Sequence, residues 1–150
     1  MKIVVVSDTH RDKEILNRIA KKHHDADYFL HAGDSCLPPE EIYPFIGVKG
    51  NCDFFRYKPN LVINTGVIKI FMTHGHFHRK AKLISTAKAN DCEVVIFGHT
   101  HVPYYEEEDG IILINPGSPT RPRGKSMPSY AVITIINNNI DVSFEGLDEL

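Results

Sequence analysis

The chain of 150 residues has little cysteine: Cys36, Cys52 and Cys92 are odd in number and form no CxxC pair. This excludes a disulfide framework and a zinc knuckle, and it fits a reduced, cytoplasmic setting. No apolar run approaches the roughly 18 residues that cross a bilayer, and the apolar run 3–6 behind Met1 is too short and too poorly flanked for a signal peptide. No sign of charge dominates. A formal charge of −2 gives no electrostatic basis for non-specific binding to nucleic acid or to a membrane. Internal repeats, low-complexity stretches and interdomain linkers are also missing, so residues 1–150 are expected to form a single domain. The 42% of hydrophobic and 24% of charged residues are ordinary for a soluble globular protein.

What is present is an alternation of apolar runs with short polar words. Residues 2–7 read as a strand buried on both faces. Asp12 is placed to cap a helix over 13–24, with Ile15, Leu16 and Ile19 on one face. Residues 28–31 and 45–48 read as strands, and Pro38 and Pro39 open a short helix between them. Strands at 61–64 and 67–73 flank Thr65-Gly66, a helix follows over 80–90, and 94–97 reads as another buried strand. Two hairpins complete the chain, 104–108 with 111–114 around Asp109-Gly110, and 129–136 with 140–144 around Asn137-Asn138-Asn139. Residues 115–129, rich in Pro, Gly, Ser and Arg, read as a long loop. Two packed sheets with helices outside are the simplest architecture for this order.

Five polar words end apolar runs: SDTH, HAGD, KGNCD, THGH and FGHTH. They carry Asp8, His10, Asp34, Asn51, His74, His99 and His101. Carboxylate, carboxamide and imidazole are donors for divalent transition metals. Each word alone reads more simply as a turn, and Asn51 alone as a turn residue with positive φ. Together they gain meaning from position, since ligands of open α/β sheets bind outside the carboxyl ends of strands, where five words can converge. Asp8 and His10 stand two apart, so on an extended segment both point the same way.

Other residues take lesser places. Asp53 is a candidate to orient a ligand by hydrogen bond, or else a solvated turn carboxylate. His76 is the candidate for a donor or acid on the substrate side, or else a structural imidazole. His78 is expected to face solvent and His31 to be packed and hydrogen-bonded. Arg121 and Arg123 read as solvated charges that could instead clamp a phosphate. The acidic run 106–109 reads as an exposed hairpin tip.

The words, in this order, resemble the pattern D-x-H, G-D, G-N-[HC]-[DE], H, G-H-x-H of the calcineurin-like metallophosphoesterase superfamily. The short length, the GNCD word and the NPGS word at 115–118 resemble its small single-domain phosphodiesterase branch of bacteria and archaea. The resemblance implies an α/β fold, a four-layer αββα sandwich of two mixed sheets with metals at one edge. It implies that Asp8, His10, Asp34 and His101 hold one divalent ion, and that Asp34, Asn51, His74 and His99 hold another. Mn²⁺ is the expected ion, and the mixed donors also suit Ni²⁺, Zn²⁺, Fe²⁺ or Co²⁺. Two such ions, about 3.5–4 Å apart, would hold a hydroxide that attacks phosphorus, with Asn51, Asp53 and His76 assisting catalysis.

Many phosphatases of the superfamily carry histidine where this chain has Cys52. A neutral thiol is a weak donor, and its loss of positive charge disfavours dianionic monoesters more than monoanionic diesters. The expected activity is therefore hydrolysis of a small-molecule phosphodiester. Rival readings are a protein-interaction scaffold, as in the retromer subunit of this fold, a nuclease, and a broad phosphomonoesterase. The missing basic surface argues against a nucleic-acid polymer as partner. Small members of the branch often self-associate, which admits a homo-oligomer.

Overall fold

The computed structural model describes residues 1–76 and 78–150. Its elements are β1 (Lys2–Val6), α1 (Lys13–Lys22), β2 (Tyr28–His31), a 3-10 turn (Pro39–Glu41), β3 (Ile46–Gly47), β4 (Asn60–Asn64), β5 (Lys69–Thr73), α2 (Lys80–Ala89), β6 (Val94–Ile96), β7 (Pro103–Glu108), β8 (Ile111–Pro116), β9 (Tyr130–Ile136) and β10 (Asn139–Glu145). They form two five-stranded sheets, ordered β10-β9-β1-β2-β3 and β4-β5-β6-β8-β7.

Alternation along β1 explains the layers. Ile3 and Val5 enter the core between the sheets, where they meet Ile70, Met72, Ile96 and Ile114 of the second sheet. Val4 and Val6 turn the other way, onto Ile15, Leu16 and Ile19 of α1. On the far side, Phe71, Val95 and Leu113 pack on Leu83, Ile84 and Ala87 of α2. Each buried Val, Leu or Ile contributes about 1.5–3 kcal/mol by leaving water, so the strands are held on both faces. The result is the expected αββα sandwich of mixed sheets. α1 starts where Asp12 caps it, its carboxylate accepting the Ile15 N–H at 3.0 Å. Among the described residues, no helix is long and apolar enough to cross a membrane.

The centre of each sheet is parallel: β1 with β2 and β2 with β3 in one, β5 with β6 and β6 with β8 in the other. Their carboxyl ends open on one rim, and that rim receives the loops carrying the polar words.

Several boundaries differ from expectation. β8 runs on through Asn115 and Pro116, because Pro103 and Tyr104 of β7 continue the pairing there. The loop therefore starts two residues later than the proline-rich composition suggests. The last hairpin turns on two residues, Asn137 and Asn138, at φ of 49° and 67°, while Asn139 already pairs with Ile136. Two consecutive positive φ values match the twist of the strands better than a three-residue turn. β3 keeps only two residues, paired with Leu30 and His31.

Candidate metal centre

The seven candidate ligands meet at the rim. Asp8 and His10 follow β1, Asp34 follows β2, Asn51 lies beyond β3, His74 follows β5, and His99 and His101 follow β6. The expected reason for Asp8 and His10 is corrected by the backbone: both are left-handed, at φ of 57° and 47°, not extended. Strand alternation does not align them; a tight loop pinned to its neighbour does, with Asp8 N–H on Gly33 O at 2.9 Å and His10 N–H on Asp34 O at 3.0 Å. Asp34, His99 and His101 also stand at positive φ, 59°, 73° and 61°. Asn51 is absent from the positive-φ residues, so a left-handed turn does not account for it. Small residues let these loops approach: a Cβ on Gly50 would collide with the Asp34 carboxylate, and one on Gly98 with the Ser7 hydroxyl.

Two groups of donors result. Asp8, His10 and His101 form one, and Asp8, Asp34 and His74 the other, with donor atoms within 4.8 Å of one another in each. Asn51 joins the second group, its Oδ1 lying 3.0 Å from His74 Nε2 and 3.2 Å from His99 Nδ1.

Proton accounting tests whether a cation fits. His74 gives its Nδ1 proton to Ala32 O at 2.7 Å. In a neutral ring Nε2 then has only a lone pair. That lone pair faces Asn51 Oδ1 at 3.0 Å, Asp34 Oδ2 at 3.3 Å and Asp8 Oδ1 at 3.7 Å. His101 repeats the arrangement, with Nδ1 on Arg121 O at 2.6 Å and Nε2 3.2 Å from Asp8 Oδ1. The latter pair is at ion-pair distance without hydrogen-bond geometry, and Asp8 Oδ1 and His10 Nε2 are buried with no hydrogen-bond partner among the described residues. Lone pairs crowded in this way need a positive charge among them, either extra protons or metal ions. The donors present fit divalent transition ions.

The titration behaviour agrees. Burial opposes charge on His74, yet Asp34 and Asp8 outweigh it and raise its pKa above the imidazole norm. Asp8 beside it raises that of His101. Burial works against the Asp34 carboxylate too, but His74 and the Cys52 N–H hold its pKa down to about 2. Burial lowers the pKa values of His10 and His99, which keep fewer protons.

Asp53 is not a solvated turn carboxylate. It is 3% exposed and accepts three backbone N–H groups, from Gly50 at 2.7 Å, Cys36 at 2.8 Å and Asp34 at 2.9 Å. Its reach is to the backbone that carries the candidate ligands, so it positions them and does not face the cleft. The NPGS word does similar work. Asn115 donates to Gly98 O and Thr100 Oγ1, both at 3.0 Å, and the Ser118 hydroxyl donates to Asp8 O at 2.8 Å.

His76 lies beside the second group, its ring 5.3 Å from that of His74 and 6.0 Å from that of His99. It lines a cavity of about 360 Å³ together with Asn51, Thr73, Lys49 and His78. His78, half-buried, lines the same cavity. His31 is packed as expected: Nδ1 accepts the Gly33 N–H at 3.1 Å, Nε2 meets Thr9 Oγ1 at 2.9 Å, and burial lowers its pKa to about 4. Glu106 is not only a solvated tip, since Lys80 of α2 bonds it at 3.0 Å. On the other shoulder, His10, Arg11, Cys36, Cys52, Phe54 and Arg121 line a cavity of about 250 Å³. No sequence pattern marks Arg11 or Cys36; Arg11 simply follows SDTH directly.

Comparison with known proteins gives the context. Residues 1–138 match the model of the calcineurin-like phosphoesterase superfamily domain. A probable metallophosphoesterase of Bacillus subtilis (strain 168), YsnB, is 38% identical over 152 residues, covering 96% of this chain and 90% of that protein. The phosphodiesterase YfcE of Escherichia coli (strain K12) is 31% identical over 103 residues, covering 63% of this chain and 54% of that protein. The crystal structure of a predicted phosphoesterase from Streptococcus pneumoniae TIGR4 superposes with a TM-score of 0.89 at 34% identity, over 95% of this chain and 87% of that one.

Proposed function

The chain belongs to the calcineurin-like phosphoesterase superfamily, and we propose that it is a metal-dependent phosphodiesterase with two divalent ions. In this reading Asp8, His10, Asp34 and His101 hold one ion, and Asp34, Asn51, His74 and His99 hold the other. The observation that carries it is the pair of imidazoles whose Nδ1 protons are given to Ala32 O and Arg121 O, leaving Nε2 turned toward carboxylates. Bound there, the ions would supply a water nucleophile at neutral pH and would take up charge on the phosphate oxygens. Mn²⁺ is the first choice, and Ni²⁺, Zn²⁺, Fe²⁺ and Co²⁺ suit the same donors.

The chain's own groups do the rest. Asp53 and the NPGS hydrogen bonds hold the loops, so the donors need not reorganise on binding. His76, whose neutral form burial favours, stands where it can hydrogen-bond an ester oxygen in the larger cavity. Cys52 gives its N–H to Asp34 Oδ1 at 2.8 Å. Burial and the nearby Asp34 raise its thiol pKa, so the side chain is a neutral, weak donor. A dianionic monoester meets no cationic imidazole there, whereas a monoanionic diester needs less neutralisation. The substrate is a small diester, and the setting is cytoplasmic.

Purified protein with Mn²⁺ should hydrolyse bis(4-nitrophenyl) phosphate, and chelation should abolish the activity. Cys52→His should raise the ratio of monoesterase to diesterase activity. A metal-independent rate would overturn the metal requirement, and an unchanged ratio would remove the argument from Cys52.

A further inference from the structure

The smaller cavity carries groups that hydrolysis of an uncharged-arm diester does not use. It measures about 250 Å³, and its walls include two arginines, Arg11 and Arg121, with no aspartate or glutamate among the described residues. Arg11 directly follows His10 and stands at φ of 72°, a conformation that costs a residue with a Cβ about 1 kcal/mol. Its backbone is held from both sides, the N–H on Ser35 O at 2.7 Å and the carbonyl accepting the Lys13 N–H at 3.0 Å. Arg121 is fixed in the same manner. Its N–H bonds the Ser118 hydroxyl at 2.8 Å, and its carbonyl accepts His101 Nδ1–H at 2.6 Å. Both backbones are therefore tied to the contacts that fix candidate ligands. Neither guanidinium has a carboxylate partner among the described residues. Phe54, 90% exposed, adds an aromatic face to the same walls.

We propose that this cavity receives one arm of the substrate diester, and that the arm bears a second anionic oxygen group, a carboxylate or a phosphate, held by Arg11 and Arg121. The inference rests on the diesterase reading and deepens it, making the substrate an asymmetric phosphodiester. A guanidinium fork matches both anions. The larger cavity, walled by Asn51, Thr73 and His76, then takes the other arm.

The test is calorimetric binding of three methylphosphonate monoesters to Mn²⁺-loaded protein, with arms ending in a methyl group, a carboxylate or a phosphate. An anionic end should tighten binding about tenfold, the scale of one or two partly exposed ion pairs. The tighter of the two anionic probes names the group. Arg11→Gln and Arg121→Gln should each move the ratio of anionic to neutral affinity toward one. Equal binding of all three probes, or a preference that survives both substitutions, overturns the proposal. Hydrolysis of bis(4-nitrophenyl) phosphate is measured in parallel. Its absence beside an intact charge preference would strike the diesterase reading alone and leave the anion-binding cavity standing.

Discussion

The two shoulders of the site are built differently. On the His74 side nearly every donor is already held. His74 Nδ1 is on a carbonyl, Asn51 spans His74 and His99, and Asp34 takes the Cys52 N–H. The adjoining cavity is walled by imidazoles and amides with one lysine, Lys49. On the His10 side His10 Nε2 is buried without a hydrogen-bond partner among the described residues, and the adjoining cavity carries two arginines and two thiols. Asp8 belongs to both donor groups. The difference teaches that one shoulder is arranged for fixed positioning of the reacting centre, while the other has spare capacity that can distinguish one substrate from another.

The strongest way to break this comparison is to remove Asp8, the carboxylate that stands in both donor groups. Asp8→Ala should lower phosphoesterase activity by about 10³-fold, the scale seen when a central electrostatic group is deleted; it removes a donor of the His10-side ion and, because Asp8 stands in both donor groups, should disturb the His74 side as well. His99→Ala and Asn51→Ala should weaken the His74 side selectively. Steady-state kinetics with metal titrations would show this, and full activity in all three variants would refute the ligand assignment.

A smaller effect is expected beneath the site. Asp53→Ala leaves the buried N–H groups of Gly50, Cys36 and Asp34 without their acceptor. Unfolding stability should fall by about 3 kcal/mol, with metal affinity falling as well. Urea denaturation of the metal-free protein measures the first quantity. A loss confined to activity, with stability intact, would mean that Asp53 faces the substrate after all.

The smallest effect distinguishes the shoulders by their protons. In the metal-free protein the raised pKa values of His74 and His101 give stability that is fully present below 6.5 and is lost as pH rises through the raised values. Metal ions need the neutral rings, so their affinity moves the opposite way, rising with pH past 6.5 by up to about 1.4 kcal/mol per pH unit for each proton displaced. His10, whose pKa burial lowers, should release fewer protons than His74. Calorimetry in buffers of different ionisation enthalpy counts the protons, and a count of zero at pH 7 would contradict the picture of His74.

Much of this was legible in the sequence because it depends on period and order. β1 reads as buried on both faces and is so, β2 spans the expected Tyr28–His31, and Asp12 caps α1. The seven candidate ligands converge because parallel strands share a rim. What stayed hidden depends on contacts between distant segments. Nothing local to Asp8 and His10 announces left-handed backbone, which is imposed by Gly33 and Asp34 across the loop. Asp53 reads from sequence as either an orienting or a solvated carboxylate, and only the fold shows that its partners are three backbone N–H groups. Arg11 and Cys36 gain meaning only when the loops bring them to one cavity, and Pro116 extends β8 only because Pro103 pairs with it.

The central claim is a pair of cations among these seven side chains. Crystals grown with Mn²⁺, analysed by anomalous diffraction, test it most directly. The account predicts two peaks per chain, one among Asp8, His10, Asp34 and His101 and the other among Asp34, Asn51, His74 and His99. No peak in an active preparation, or peaks bound away from these residues, would contradict it.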